Sequence, residues 1–177
     1  MRFIYLIIFL TVNVFSSAVV SQTIAIVDIQ SLIDNNEIYI KTVREIENSQ
    51  DKHVQKFNLQ EKNLEDMFID IENSKLILNE NELNQKIELY NNELTEFTNL
   101  LDDFNSHYQK QILNIREILF KEIIILLEEY AINNNIDLIL DSTSYLIASN
   151  SLDITEKINK DLMQLEIEMD FKDFEKN

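Results

Sequence analysis

Glycine, proline and cysteine are all absent from the 177 residues. Without glycine or proline the chain lacks the residues that make tight turns, phosphate-cradling loops and strand-rich folds easy, and long helices tolerate that lack best. Without cysteine it has no disulfide framework, so its stability must come from packing or from assembly. Positive charge is scarce as well: 15 Lys and Arg stand against 32 Asp and Glu, a net charge of −17. Such a surface is solvated and self-repelling, and it repels nucleic acid and anionic headgroups. DNA, RNA and membrane-surface binding are set aside on that ground. Catalysis finds little footing either: there is no Gly-rich loop, no thiol and no serine in an elbow-like setting. Carboxylates spread along helices do not make an acid and base pair. The expectation is a protein that is not an enzyme and uses no cofactor and no metal.

What is present begins with MRFIYLIIFLTVNVFSSAVVS, a single basic residue, an apolar run from Phe3 to Phe15, and small residues up to Ala18 or Ser21. That is the layout of a cleaved secretory signal, and its core is too short for a comfortable membrane span. A retained anchor is the alternative. Cleavage after Ala18 and after Ser21 both fit, and Ser21 is preferred because it starts the mature chain just before a strand. Removing residues 1–21 takes away Arg2 and no acid, leaving 14 basic and 32 acidic residues and a charge of −18.

From Val43 apolar residues alternate at spacings of three and four: Val43, Ile46, Phe57, Leu64, Met67, Ile71 and Leu78, with Gln50, His53, Gln60 and Ser74 in the gaps. The pattern restarts at Leu83, Ile87, Tyr90, Leu94, Phe97, Leu101, Phe104 and Tyr108, then Gln111, Ile115 and Ile118. Two coiled-coil helices folded back on each other are the direct expectation. The tip falls near residues 79–82, where Asn79 can cap the second helix and Glu82 can reach back as in a capping box. In this register Phe57 faces Phe104, Leu64 faces Phe97, His53 faces Tyr108, and Gln50 faces Gln111 as a matched polar layer that helps fix the register. The two histidines, His53 and His107, lie at one level. A metal or pH-sensing pair is weighed there against ordinary seam and surface residues, and no carboxylate or Cys spacing completes a site. The acidic positions along both arms, Glu61, Glu65, Asp66, Glu88, Glu93, Glu96, Asp102 and Asp103, read most simply as a solvated face and otherwise as a charged lining.

The hairpin is flanked by strand-like runs. IAIVDIQ (24–30) precedes it, and IDLILD (136–141) and YLIAS (145–149) follow, with a helix starting near Thr155 as its N-cap. IAIVDIQ therefore pairs with IDLILD across the whole arm. Because IAIVDIQ is apolar on both faces and one terminal helix covers only one, the other face is expected to meet another copy of the chain. The side chains expected at that contact are Ile24, Ile26, Val27, Leu138, Leu140 and Leu146. The fold class is α+β, predominantly α. A body strand (22–32) pairs with body strands and a helix (134–165), a helical hairpin arm (33–133) lies between, and a tail (166–177) extends the terminal helix or is unassigned.

The succession IAIVDIQSLIDNN, a heptad hairpin, then NNNIDLILDSTSYLIASNSLDITEKI resembles the Skp/OmpH family of periplasmic chaperones over roughly residues 22–165. The resemblance implies a homotrimer in a jellyfish-like cage, with an intersubunit β-barrel body and three arms around a cavity. It implies an ATP-independent holdase in the periplasm that binds unfolded outer-membrane proteins and delivers them for membrane insertion. It leaves the client-contacting residues unknown. Where the family is expected to have a glycine just before the DLxLD strand this chain has Asn135, which tolerates the left-handed backbone conformation. Well-known members are basic and this chain is acidic, so lipopolysaccharide binding is not carried over, and clients rich in Lys and Arg are expected instead. A structural or adaptor coiled coil for a folded envelope partner is the rival function.

Overall fold

A computed structural model describes residues 22–175, and the expected signal segment lies outside the described residues. The elements run in the order β1 (Ile24–Val27), α1 (Ile29–Asp34), α2 (Glu37–Ser74), α3 (Glu80–Asn134), β2 (Leu138–Asp141) and α4 (Thr155–Leu162). Two single 3-10 turns, Ser142–Ser144 and Asn150–Leu152, lie between β2 and α4. β1 and β2 pair in parallel, with Ile24 opposite Leu138 and Val27 opposite Asp141. A parallel pair cannot be closed by a tight turn and needs a long crossover. Here the crossover is α1 and the entire α2–α3 hairpin. The other edge of β1 is covered too, because the Ile154 N–H donates to the Ile26 carbonyl at 2.9 Å.

β1 is shorter than IAIVDIQ. It stops at Val27, because Asp28 accepts a hydrogen bond from the Ser31 N–H at 2.8 Å and so caps α1. A short apolar run does not distinguish strand from helix by periodicity, and the cap decides it. The expected body strand over 22–32 is therefore strand and then helix, with Leu32 and Ile33 buried. Asn36 caps α2 in the same way, accepting from the Tyr39 N–H at 3.0 Å.

The arm turns over residues 75–79, a little before the expected tip, and the N–H groups of Ile77 and Leu78 both close onto the Ser74 carbonyl at 3.0 Å. Asn79 accepts from the Glu82 N–H at 3.0 Å. Only this half of the expected capping box forms. α2 has 38 residues and α3 has 55, roughly 57 and 82 Å at 1.5 Å per residue. The excess of α3 runs down into the base, and there its seam changes. Past Ile115 the buried positions are Leu119, Ile123 and Leu127 rather than the expected Ile118. These sit one above another at a spacing of four and belong to one core with Ala25 and Val27 of β1, Leu32 and Ile33 of α1, and Ile158 and Leu162 of α4.

Two further expectations are corrected at the base. YLIAS is not a strand: Asp141 accepts from the Thr143 N–H at 3.3 Å and caps a 3-10 turn that leads the chain away from β2. Leu146 and Ile147 are left 100% and 93% exposed. Thr155 opens α4 but is not its cap. Its hydroxyl accepts from the Asp28 N–H at 2.8 Å, tying α4 to the end of β1, while Asp153 accepts from the Thr155 N–H.

α3 ends at Asn135, the single described residue with positive φ (52°, with ψ 47°), in the left-handed region that favours glycine. Asn is the side chain that replaces glycine there at least cost. Asn135→Ala is expected to lower unfolding stability by about 1 kcal/mol, while Asn135→Gly matches or exceeds the parent. Thermal melts of the three proteins check this order.

Candidate binding surfaces

The tail, expected to continue the helix or left unassigned, leaves helical structure after α4 and docks back on the arm. From Glu166 to Glu175 it has no regular secondary structure. Met169 is buried in the main core, and Leu165, Ile167, Phe171 and Phe174 pack against it half-buried. The docking centres on Tyr108, which is fully buried. Its hydroxyl donates to Asp173 Oδ1 at 2.6 Å and lies 2.7 Å from the Ser49 hydroxyl. Ser49 also donates to Asp173, and His53 Nε2 lies 3.1 Å from the same oxygen. On the α3 side, Gln111 accepts from the Lys172 N–H at 3.3 Å, and His107 Nε2 lies 2.7 Å from the Lys172 carbonyl. The Phe174 ring fills a cleft with its centroid 5.4 Å from Phe104, 5.8 Å from His53 and 5.6 Å from His107.

This knot sets the ionisation of its members. Hydrogen bonds from Ser49 and Tyr108 hold the Asp173 carboxyl well below the usual carboxylate range, because they favour the charged form. Burial, and then the Asp173 carboxylate, push the Tyr108 phenol up from its ordinary value. Because folding lowers the Asp173 pKa, the stability it contributes is complete above the carboxylate's unfolded value of about 4 and is lost as pH falls below that value.

The residues expected from the heptads are distributed differently. His53 and Tyr108 do face each other, with ring centroids 6.4 Å apart, and Phe57 and Phe104 meet edge-on at 4.8 Å. Gln50 and Gln111 are both half-buried, but Gln111 binds the tail instead of Gln50, and the buried polar position at this level of α2 is Ser49. The matched glutamine layer is thus replaced by a Ser49–Tyr108–Asp173 layer, because a carboxylate from outside the hairpin supplies a better partner for two hydroxyls. The histidines meet Phe174 edge-on, and no group of potential metal ligands forms among the described residues. Ser49 and Asp173 carried no signal in the heptad pattern. The tail's own signal was its alternation, LEIEMDF, apolar and acidic by turns.

At the base, Ile24 and Leu138 are 37% and 47% exposed, Leu140 is half-buried and Leu146 is wholly exposed. Ile26 and Val27, expected at a contact between copies, are instead buried inside their own chain: Val27 lies in the main core, and segment 153–154 pairs with β1 at Ile26. On the arm, Leu59, Phe68, Ile69, Leu76, Ile77 and Leu89 are exposed among the charges.

A long helical hairpin rooted in a parallel β pair, with an apolar base face left open, defines an architecture rather than a reaction centre. The sequence matches the model of the outer membrane protein (OmpH-like) family over residues 23–162, and the chain belongs to that family. The fold is that of the crystal structure of a candidate outer membrane chaperone (OmpH-like) from Caulobacter crescentus CB15. The two agree with a TM-score of 0.70 at 10% identity, over 87% of this chain and 92% of that one. No protein of curated function matches the sequence. The family is one of chaperones, not of enzymes. No helix among the described residues is long and apolar enough to cross a membrane.

Asp173→Asn is expected to release the tail to limited proteolysis near Lys172 and to lower stability by no more than about 1 kcal/mol, since the Asp173 side chain is 60% exposed. The parent is expected to lose the same increment as pH drops below about 4. The other lowered carboxyl groups, such as Asp141, remain in the variant, so the stability difference between parent and variant narrows in melts recorded from pH 7 to pH 3.

Proposed function

We propose that the chain is an ATP-independent periplasmic holdase, exported by its N-terminal segment, that keeps unfolded outer-membrane proteins soluble between the arms of a homotrimer and releases them for membrane insertion. The main support is the arm surface. Exposed apolar side chains, such as Leu59 and the neighbours Phe68–Ile69 and Leu76–Ile77, are scattered in small patches among acidic residues. Scattered weak contacts of this kind hold a disordered chain without imposing the ordering cost of a single fixed pose. The open base supports assembly: Ile24, Leu138, Leu146 and Ile147 form an apolar face that a sister subunit covers, and a 3-10 turn frees residues 145–149 to pair with it. Lys and Arg are few, so clients or client segments rich in basic residues are favoured by the arms.

Solution mass combined with an aggregation assay tests this. The mature protein is expected at three times the monomer mass and is expected to keep a urea-diluted β-barrel protein soluble without ATP. Client binding should weaken as salt rises, because exposed charges are screened within about 8 Å at physiological ionic strength. Leu146→Asp with Ile147→Asp should dissociate the trimer and abolish holding while leaving the helical circular dichroism intact. A stable wild-type monomer sinks the cage. Saturable binding of one native envelope protein, without suppression of aggregation, establishes the adaptor instead.

A further inference from the structure

The tail lies beyond the stretch that matches the family model, which ends at residue 162. Its sequence, LEIEMDFKDF from Leu165, alternates strictly through Lys172: Leu165, Ile167, Met169 and Phe171 are apolar, and Glu166, Glu168, Asp170 and Lys172 are charged. Burial follows the alternation, with the apolar set turned to the arm and the charged set to solvent. A segment of about ten residues with alternating apolar and polar side chains is also the pattern of a strand in a membrane-spanning β-barrel.

The arm holds this segment partly through the Asp173 carboxylate, which Ser49, Tyr108 and His53 share, and partly through groups that any extended chain possesses. Gln111 takes the Lys172 N–H, His107 sits on the Lys172 carbonyl, and the Phe174 N–H donates to the Tyr108 hydroxyl at 3.3 Å. All three are contacts to main chain, indifferent to side-chain identity. Selectivity comes from the cleft of His53, Phe104 and His107, which receives an aromatic ring. Net charge does not set it, because Lys52, Lys56 and Lys110 line the clefts beside Asp173 and Phe174 together with the acids Glu45, Glu96 and Asp103.

We propose that the arm face built by Ser49, His53, Phe104, Tyr108 and Gln111 is a binding site for one extended client segment of alternating apolar and polar residues, and that the tail is its resident, displaceable occupant. The proposal rests on the holdase function and adds the residues that touch the client. The tail then acts as an internal competitor: the site is filled when no client is present, its aromatic cleft is kept from associating with other copies, and a client must displace the tail to enter.

Fluorescence anisotropy of a labelled peptide LEIEMDFKDFEKN tests this, with the mature chain (residues 22–177) and a form ending at Gln164. The shortened form is expected to bind the peptide, and the full chain about tenfold or more weakly, because a tethered tail competes at an effective concentration near millimolar. A peptide of the same composition with its apolar residues grouped together should not bind. Unfolded β-barrel protein diluted from urea should displace the labelled peptide. If the shortened form loses its helical circular dichroism, Asp173→Ala with Phe174→Ala in the full chain is expected to give the same gain. Equal peptide binding by tail-free and full-length forms overturns the proposal. So does a client that is held soluble without displacing the peptide, and that result leaves the holdase function standing. Failure of both forms to hold the client soluble removes the function itself, and the client site with it.

Discussion

A ladder of four residue pairs between β1 and β2 holds together two points of the chain that are more than a hundred residues apart. Parallel pairing forbids a short connection, so everything between Val27 and Leu138 must leave the base and return to it. Closing so long a loop costs conformational entropy that four residue pairs cannot repay alone. The repayment comes from the inner part of α3, whose Ile115, Leu119 and Ile123 are wholly buried against the elements that flank the ladder. The ladder fixes where the arm starts and ends, and α3 makes that position stable.

The missing glycine and proline leave a consistent trace in the structure. Asp28, Asn36 and Asn79 each accept a backbone N–H three residues on and open a helix, Asp141 opens a 3-10 turn, and Asn135 supplies the one left-handed residue among those described. Asx side chains do this because they offer a short acceptor to their own backbone and tolerate the left-handed well. Apart from the left-handed turn at Asn135, these boundaries are set by a side-chain hydrogen bond rather than by the freedom of a bare backbone, and the hairpin joins stiff elements with short connections.

What the sequence disclosed depended on range. The hairpin, the Phe57–Phe104 and His53–Tyr108 pairs and the β1–β2 partnership were legible, because heptads and β-branched runs are local signals with a fixed period. The end of β1 was not, since IAIVDIQSLI reads equally as strand or buried helix until Asp28 and Ser31 are seen as a cap. The polar layer was misplaced for a different reason. Heptad counting locates a seam, but the choice of Ser49 over Gln50 is made by Asp173, which lies 124 positions further on and enters from outside the hairpin. Ile26 and Val27 read as open to a second copy because neither the core formed with α1, α3 and α4 nor the pairing at residues 153–154 has a local signal in β1.

Packing density varies along the arm, and the tail sits where it changes. Toward the base α3 is buried at every fourth residue, whereas on the tip side of Phe104 and Ser49 only Leu64 and Ile71 are fully enclosed, and Leu94, a seam position by period, stays exposed. A two-helix seam with few enclosed side chains opens locally at low free energy, while the base opens only with the whole fold. The Ser49–Tyr108–Asp173 layer lies at the border between these regimes. It clamps the two helices together from outside, so the compliance of the arm begins above it. A tail that leaves this layer removes a half-exposed ion, an aromatic ring and Met169 from the junction, and softening there widens the span over which the arm can bend. Occupancy of one small face and the flexibility of the whole arm are thus governed by the same contacts.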